Sequence, residues 1–478
     1  MTSVQAPIEL TSELPREVTR DRTPKLTREL TRHSIVKAAL RIRWPQFVIR
    51  VIALAGFVFA ILSGFIGTPV GNHNFSIVFV WIIWWALLML IAVPFLGRGW
   101  CAVCPIPMPG EWLQNGALLK PRGKGLGLKH KWPKKFRNIW LQNIAFTLLA
   151  LFSAVVLTQP SITGLVLLLF LIIALVTSLI FERRAFCRYL CPVGGFIGLY
   201  SQVAPVEVRV KDPTICAVHT EKSCYTGSKD GYGCPWLVYP GTLTKNINCG
   251  LCMECLRTCT QDNVAFNLRS FGADLKQASG RKLDEAFKAF IMLGAALIYS
   301  AVMLGPWGAL KSAAYSIGTP QWLVYALTLL SLIYVILPGT FLIVVMLGRA
   351  LVKSKEPLKK SFNAFATGLI PLGLMAWIAF SLSFVFASLS YLWPALSDPL
   401  GAGWNLFGTA HVAWQPYLMS IVPFLQAGVL IGGLLWACLT ARRIAAEKQT
   451  GLGITLQALP VMGFCFIITV GLMGLLIG

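Results

Sequence analysis

The chain has 478 residues, of which 56% are hydrophobic and only 13% are charged. Soluble domains carry roughly 25% charged residues, so this composition excludes an ordinary soluble protein. The net charge is +23, from 42 Lys and Arg against 19 Asp and Glu. Basic loops on one face of a membrane account for this excess, and no nucleic-acid partner is needed to explain it.

Apolar stretches of about 20 residues predict helices that cross a lipid bilayer. The fold class expected from them is an all-α polytopic membrane protein with about nine transmembrane helices. Their approximate limits are 46–67, 75–97, 139–158, 162–181, 286–308, 322–347, 363–390, 417–439 and 453–477.

Basic residues are concentrated in alternate connections, which sets the predicted orientation. Residues 1–45 contain nine Lys and Arg, and 98–138 contains nine more against the single acid Glu111. The opposite connections carry Lys311, Asp398 and few other charges. By the positive-inside rule the basic side is cytoplasmic. The N-terminus is therefore expected in the cytoplasm and the C-terminus outside the cell membrane.

Four regions follow from this pattern: a basic cytoplasmic tail, a four-helix membrane region, a cytoplasmic module that carries most of the cysteines and a five-helix membrane region, over 1–45, 46–181, 182–285 and 286–478. The tail is polar from its start, unlike a cleaved signal peptide. Two interpretations of it remain open. It binds anionic lipid or an acidic electron carrier, or it is a solvated, disordered segment.

The most specific motif is the run NCGLCMECLRTC, whose cysteines have the spacing Cys-x2-Cys-x2-Cys-x3-Cys. Bacterial ferredoxins use this spacing for [4Fe–4S] clusters, with three cysteines on one cluster and the fourth on its neighbour. Zinc sites more often use two cysteine pairs separated by a longer loop. The proline that usually follows the fourth cysteine is replaced by Thr260.

Three cysteines upstream of this run would complete two clusters, so residues 182–285 are expected to form an inserted, cytoplasmic, ferredoxin-like iron–sulfur module with two clusters. Cys234 is followed by Pro235, as the fourth cysteine of a ferredoxin set would be. His219 follows Cys216 with two residues between them, where a cysteine is expected, and histidine replaces cysteine in Rieske centres. It could instead be a surface histidine, with a solvent molecule or another cysteine as the fourth ligand. The predicted ligand sets are Cys234, Cys249, Cys252 and Cys255 for cluster 1, and Cys216, His219, Cys224 and Cys259 for cluster 2.

An internal repeat places two more cysteine pairs at the membrane surface. GRGWCAVCP follows the second predicted span and ERRAFCRYLCP follows the fourth. Three interpretations remain open for these pairs: a third redox or metal centre, thiol redox pairs, or structural turns before proline. We call the four residues the mouth cysteines; they are Cys101, Cys104, Cys187 and Cys191.

These motifs together resemble the polyferredoxin-type membrane [4Fe–4S] proteins of the 4Fe–4S binding domain family, a group with NapH-, NosR- and CcoG-like members. The resemblance covers about residues 46–270. It implies electron transfer between the quinone pool or cytoplasmic donors and another redox protein, and in some members the maturation of metal centres. The chain departs from the group in its Cys-x2-Cys-Pro first pair, in His219 and in its last five spans.

The function predicted is that of a membrane-bound electron-transfer protein with two [4Fe–4S] clusters and room for a third centre. It would relay electrons between a cytoplasmic or quinone-linked donor and a respiratory partner, and could be an oxidoreductase subunit. The partners expected are membrane lipid, redox proteins and a quinone. Two alternatives are a reductase that matures a metalloenzyme and a redox-regulated transporter or sensor. The last five spans carry almost no charge apart from Lys288, expected at a span end, which disfavours an ion pump.

Overall fold

The structure is a computed structural model, and it describes residues 27–119, 125–277, 280–304 and 308–477. Residues 1–26 of the predicted basic tail lie outside the described residues. The described chain is helical apart from one small sheet. The predicted class, an all-α polytopic membrane protein, is confirmed.

Eight helices of the described part are long and apolar enough to cross a membrane. Each corresponds to one predicted span. We number them spans 1 to 8: Trp44–Ile66, Phe75–Val103, Pro160–Ile180, Leu283–Leu304, Pro320–Leu351, Leu358–Ser397, Val422–Ala446 and Leu452–Leu476.

The remaining predicted span, 139–158, is not one continuous helix. It forms the helix Trp140–Leu151 and a short turn, Ser153–Val156. Twelve residues extend about 18 Å, which is less than the hydrocarbon core of a bilayer. The Ser153 hydroxyl donates to the Ala150 carbonyl at 2.9 Å. Such back-bonding competes with the helical ladder, and it accompanies the break.

Shorter helices lie outside the spans. They are Ser34–Arg41, Met108–Asn115, Pro192–Tyr200, Pro213–Val218, Ser223–Thr226, Glu254–Thr258 and Gly308–Tyr315.

Spans 4 and 6 form the centre of the membrane region, because most of their apolar residues are buried within the protein. Span 1, by contrast, leaves most of its apolar surface uncovered, as expected for a helix facing lipid. Trp377 of span 6 donates to the Met292 carbonyl of span 4 at 2.9 Å. Its ring also lies 5.5 Å from Trp85 of span 2. The last five spans therefore pack directly against the repeated hairpins.

A three-stranded antiparallel sheet closes the cysteine-rich segment outside the spans. Strand β2, Val206–Val210, pairs with β3, Val264–Leu268, from Val206 opposite Leu268 to Val210 opposite Val264. The chain leaves and re-enters the sheet at one end, so the cysteines between the strands form a compact unit. We call residues 206–268 the cysteine module.

The described part of the N-terminal region belongs to this unit. Strand β1, Arg28–Glu29, pairs with β3, and Lys37 forms an ion pair with Asp262. Arg257 donates to the Leu40 carbonyl at 3.2 Å and to the Gln46 side chain at 3.2 Å. Residues 27–45 are therefore folded onto the cysteine module, which differs from the interpretation of a solvated tail. Sequence patterns gave no sign of this pairing, since a two-residue strand has no recognisable period.

Candidate metal centres

The mouth cysteines come from equivalent points of the two repeats. Cys101 lies in the last turn of span 2, after a stretch of π-helix and a left-handed Gly97. Cys187 lies in the π-helical turn Phe186–Leu190. Wide turns of this kind are frequent at functional sites. Cys191 caps the next helix, and its Sγ accepts from the Gly194 amide at 3.2 Å.

All four mouth thiols interact with one another. Burial raises the pKa of Cys104, and the Cys101 and Cys191 thiols raise it further. Burial also raises the pKa of Cys187, against the opposing effect of Arg184, and the other three thiols add to the increase. Burial raises the pKa of Cys191 to about 11. The structure thus brings together all four residues predicted from the repeat.

Buried side-chain donors hold the backbone around these thiols. Arg98 and Gln142 each donate to the Cys187 carbonyl at 3.1 Å. Arg184 donates to the Cys101 carbonyl. Both guanidinium groups are almost fully buried. They fix the loop geometry and place positive charge beside the thiols.

Cluster 1 residues also converge. Burial raises the pKa of Cys255, and the thiols of Cys252, Cys249 and Cys234 raise it further. Burial and Cys234 raise the pKa of Cys252 to about 12. Two residues between the cysteines, Leu251 and Met253, have left-handed backbone with φ of 49° and 61°. These conformations are rare for residues with side chains, and here they wind the chain around the thiols.

Three of the four cluster 2 residues lie together. Asn263 joins two of them, since its amide N–H donates to the Cys259 sulfur at 3.4 Å and its side chain to the Cys216 sulfur at 3.3 Å. Burial raises the pKa of Cys224 to about 12, with Cys259 and Cys216 contributing.

His219 stands beside this group without contacting its sulfurs through any hydrogen bond of the described part. Its Nε2 lies 3.3 Å from the Thr260 hydroxyl, next to Cys259. Tyr239, which the sequence analysis missed, donates its hydroxyl to the Cys216 carbonyl at 2.8 Å. Burial raises the pKa of Tyr239, and the three cluster 2 thiols add to it. A lone tyrosine before a Pro-Gly turn carries no sequence signal of such a position.

Electrostatic interactions connect the three groups of thiols. The Arg184 guanidinium interacts electrostatically with both Cys187 and Cys252, so it lies near the mouth cysteines and near the residues predicted for cluster 1. Cys224 and Cys255 also interact electrostatically, so residues predicted for cluster 2 lie near residues predicted for cluster 1.

A cavity of about 360 Å³ opens beside Cys252, between span 1, the helix Met108–Asn115 and the cysteine module. Its walls include the aromatic side chains of Phe47, Trp112 and Tyr232, and they contain more arginines than acidic residues. The Phe47 and Trp112 rings are 6.3 Å apart. The volume falls within the range of small-molecule sites.

The donor chemistry fits iron–sulfur clusters. Thiolates are the ligands that hold these clusters, and eleven of the twelve predicted ligands are cysteines. Burial raises the pKa of seven of these thiols, namely Cys104, Cys187, Cys191, Cys224, Cys249, Cys252 and Cys255. Coordination to iron would stabilise their thiolate form. No group of three or more ligands in the described part closes tightly enough for a single ion. A cubane separates its ligands more widely, because each binds a different iron.

Two segments of the chain, residues 77–128 and 163–210, match the 4Fe–4S binding domain family. These segments contain the two Cys-Pro motifs of the repeat, and so include all four mouth cysteines.

Two curated proteins match as well. YccM of Escherichia coli (strain K12), named as a candidate electron transport protein, is 29% identical over 116 residues, which is 24% of this chain and 30% of YccM. Protein MJ0750 of Methanocaldococcus jannaschii is 23% identical over 198 residues, 38% of this chain and 76% of that protein. The match thus spans less than a third of YccM. No solved structure matches the chain.

These matches and the eight spans define a multi-pass membrane protein with a 4Fe–4S binding domain. The resemblance to polyferredoxin-type membrane proteins, predicted from the cysteine motifs, is confirmed. An iron–sulfur electron-transfer role is supported at this general level.

Proposed function

We propose that the protein relays electrons through three [4Fe–4S] clusters arranged from the membrane surface outward. Cluster 2 is the outermost, cluster 1 is central, and a third cluster is held by the mouth cysteines. The observation that carries the proposal is the position of Arg184, whose side chain donates to the Cys101 carbonyl and whose amide donates to the Pro235 carbonyl, next to Cys234, at 3.1 Å. Electrostatic interactions extend this link from Cys252 to Cys255 and Cys224.

Each cluster supplies a site that takes up one electron and releases it. The chain supplies the ligands of the clusters and the charges around them. Thiolates hold the iron, with His219 as the fourth ligand of cluster 2. Arg98 and Arg184 balance the negative charge near the mouth cysteines. One electron lost by the donor is gained by the acceptor, so that the relay itself is unchanged after each transfer.

We propose that the cysteine module and the N-terminus lie on the cytoplasmic side and the C-terminus on the other. The support is the distribution of Lys and Arg between the spans. Electrons would then pass between cytoplasmic or membrane donors and a respiratory redox protein.

A quinone-linked donor is favoured by the cavity beside Cys252. Aromatic walls stack against planar rings, and an electron leaving a quinol there would have only a short way to travel to cluster 1. Trp112→Ala should slow the reduction of the clusters by quinol and leave their reduction by dithionite unchanged. Equal slowing by both reductants would show that the substitution damages the clusters.

The relay is tested by the order of reduction. A reduced soluble ferredoxin, too large to enter the membrane region, is mixed with the purified protein, and frozen samples are followed by EPR. In Cys255→Ser, the mouth cluster should be reduced much more slowly than in the wild type. Cys465→Ser, a substitution at a buried cysteine of span 8, should change nothing. Wild-type reduction of the mouth cluster in Cys255→Ser would contradict the relay.

A further inference from the structure

Lys288 lies inside span 4 and is fully buried. Its ammonium donates to the Gln142 carbonyl at 3.3 Å and lies 4.7 Å from the centre of the Phe146 ring. A Cβ on Gly195 would stand 3.0 Å from the Lys288 nitrogen. Glycine at that position therefore leaves the room that the ammonium occupies. Lys288 was expected at a span end from the sequence, and it is the sixth residue of span 4; its burial is the feature that the structure adds.

Removal of an ammonium from water is costly, and a nearby negative charge offsets this cost and favours the charged form. Within the described part of the chain, Lys288 forms no ion pair with a carboxylate. The ionisable group that acts on it is Cys191.

Gln142 provides a second link between Lys288 and the mouth cysteines. Gln142 accepts from Lys288 with its carbonyl, and its side-chain amide donates to the Cys187 carbonyl at 3.1 Å. Lys288 thus interacts electrostatically with Cys191 and is linked to Cys187 through Gln142. Arg98, in contrast, lies near the end of span 2, and Arg184 lies in the loop after span 3.

Neutral thiols would leave the ammonium uncompensated. Four thiolates around a [4Fe–4S] core give the assembly a net negative charge, because they outweigh the positive charge of the core. We infer that Lys288 is the counter-ion of the cluster held by the mouth cysteines, and that it raises the reduction potential of this cluster. The inference rests on the proposed third cluster.

The counter-ion role predicts the direction in which the reduction potential of the mouth cluster changes. A fixed cation stabilises the reduced cluster more than the oxidised one, since reduction adds a negative charge. The low-polarity surroundings of span 4 strengthen the interaction. The potential of the mouth cluster is therefore held higher than its four thiolates alone would set it.

The test is a potentiometric EPR titration of the purified protein with three substitutions. Lys288→Met removes the charge and keeps the volume, and Lys288→Gln keeps a hydrogen-bond donor in case the first variant does not fold. Lys282→Met is the matched control, at an exposed lysine just before the same helix. The signal of the mouth cluster is identified by its loss in Cys187→Ser.

We expect both Lys288 variants to retain the wild-type iron content and to disfavour reduction of the mouth cluster at least tenfold, which is about 59 mV for one electron. The other two potentials, and all potentials in Lys282→Met, should stay unchanged. Full iron content with an unshifted potential would overturn the counter-ion role alone. Absence of a third cluster from the wild-type protein would overturn the proposed site itself, and the iron content separates these two failures.

Discussion

Arg184 and Glu111 form a buried ion pair that connects the two repeats. The guanidinium and carboxylate meet through two hydrogen bonds, one of them from Nη2 to Oε2 at 3.0 Å. Glu111 follows the first Cys-Pro motif, and Arg184 precedes the second. Because Arg184 also donates to the Cys101 carbonyl, the pair determines how the two pairs of mouth cysteines face each other.

Removal of one partner should destabilise the protein. Glu111→Gln leaves Arg184 and Arg50 without their carboxylate, and breaking a buried pair in this way costs about 3–5 kcal/mol. Chemical unfolding in detergent measures the loss. The exposed Glu221→Gln should change the free energy of unfolding by less than about 0.5 kcal/mol. Equal stability of the two variants would show that the pair contributes little.

The same pair predicts a pH dependence. Burial alone would raise the pKa of Glu111, but Arg184 and Arg50 outweigh it and lower the pKa to about 2. A depressed pKa stabilises the folded state above the unfolded value of about 4.5, and this stabilisation is lost as the pH falls towards 2. The difference in stability between the wild type and Glu111→Gln should therefore shrink over that interval. A difference independent of pH would contradict the assignment.

Cys234 provides the sharpest test of the crossed ligand sets. Cys234→Ser should remove cluster 1, with a loss of about four irons per chain, and leave the cluster 2 signal in place. Cys465→Ser, a substitution at a buried cysteine of span 8, should retain all the iron. If Cys234→Ser instead lost the signal that Cys216→Ser also loses, the two upstream cysteines would belong to the same cluster.

His219 is the predicted fourth ligand of cluster 2, and Tyr239 is a second polar residue beside its cysteines. A neutral histidine ligand gives a less negative cluster, so His219→Cys should lower the potential of cluster 2, and His219→Ala should alter its EPR line shape. Tyr239→Phe removes the hydroxyl that donates to the Cys216 carbonyl and should leave the iron content unchanged. Identical spectra and potentials for His219→Ala and the wild type would contradict ligation by His219.

Sequence periodicity and motif spacing predicted eight of the spans and the repeat, because apolar length and cysteine spacing are local properties. The break at Phe152 was not predictable, since Ser153 acts through a single backbone contact within an otherwise apolar stretch. The pairing of β1 with β3 and the position of Tyr239 depend on residues far apart in the chain. The burial of Lys288 was missed for the same reason, as the room for it is left by Gly195.

The most direct test of the relay is the iron and acid-labile sulfide content of protein purified without oxygen, combined with EPR of the reduced form. The account predicts about twelve irons per chain, at four per cluster, with signals that broaden through mutual interaction. About eight irons would leave the two clusters of the cysteine module and remove the mouth cluster. About four irons or fewer, in fully loaded protein, would contradict a relay of clusters.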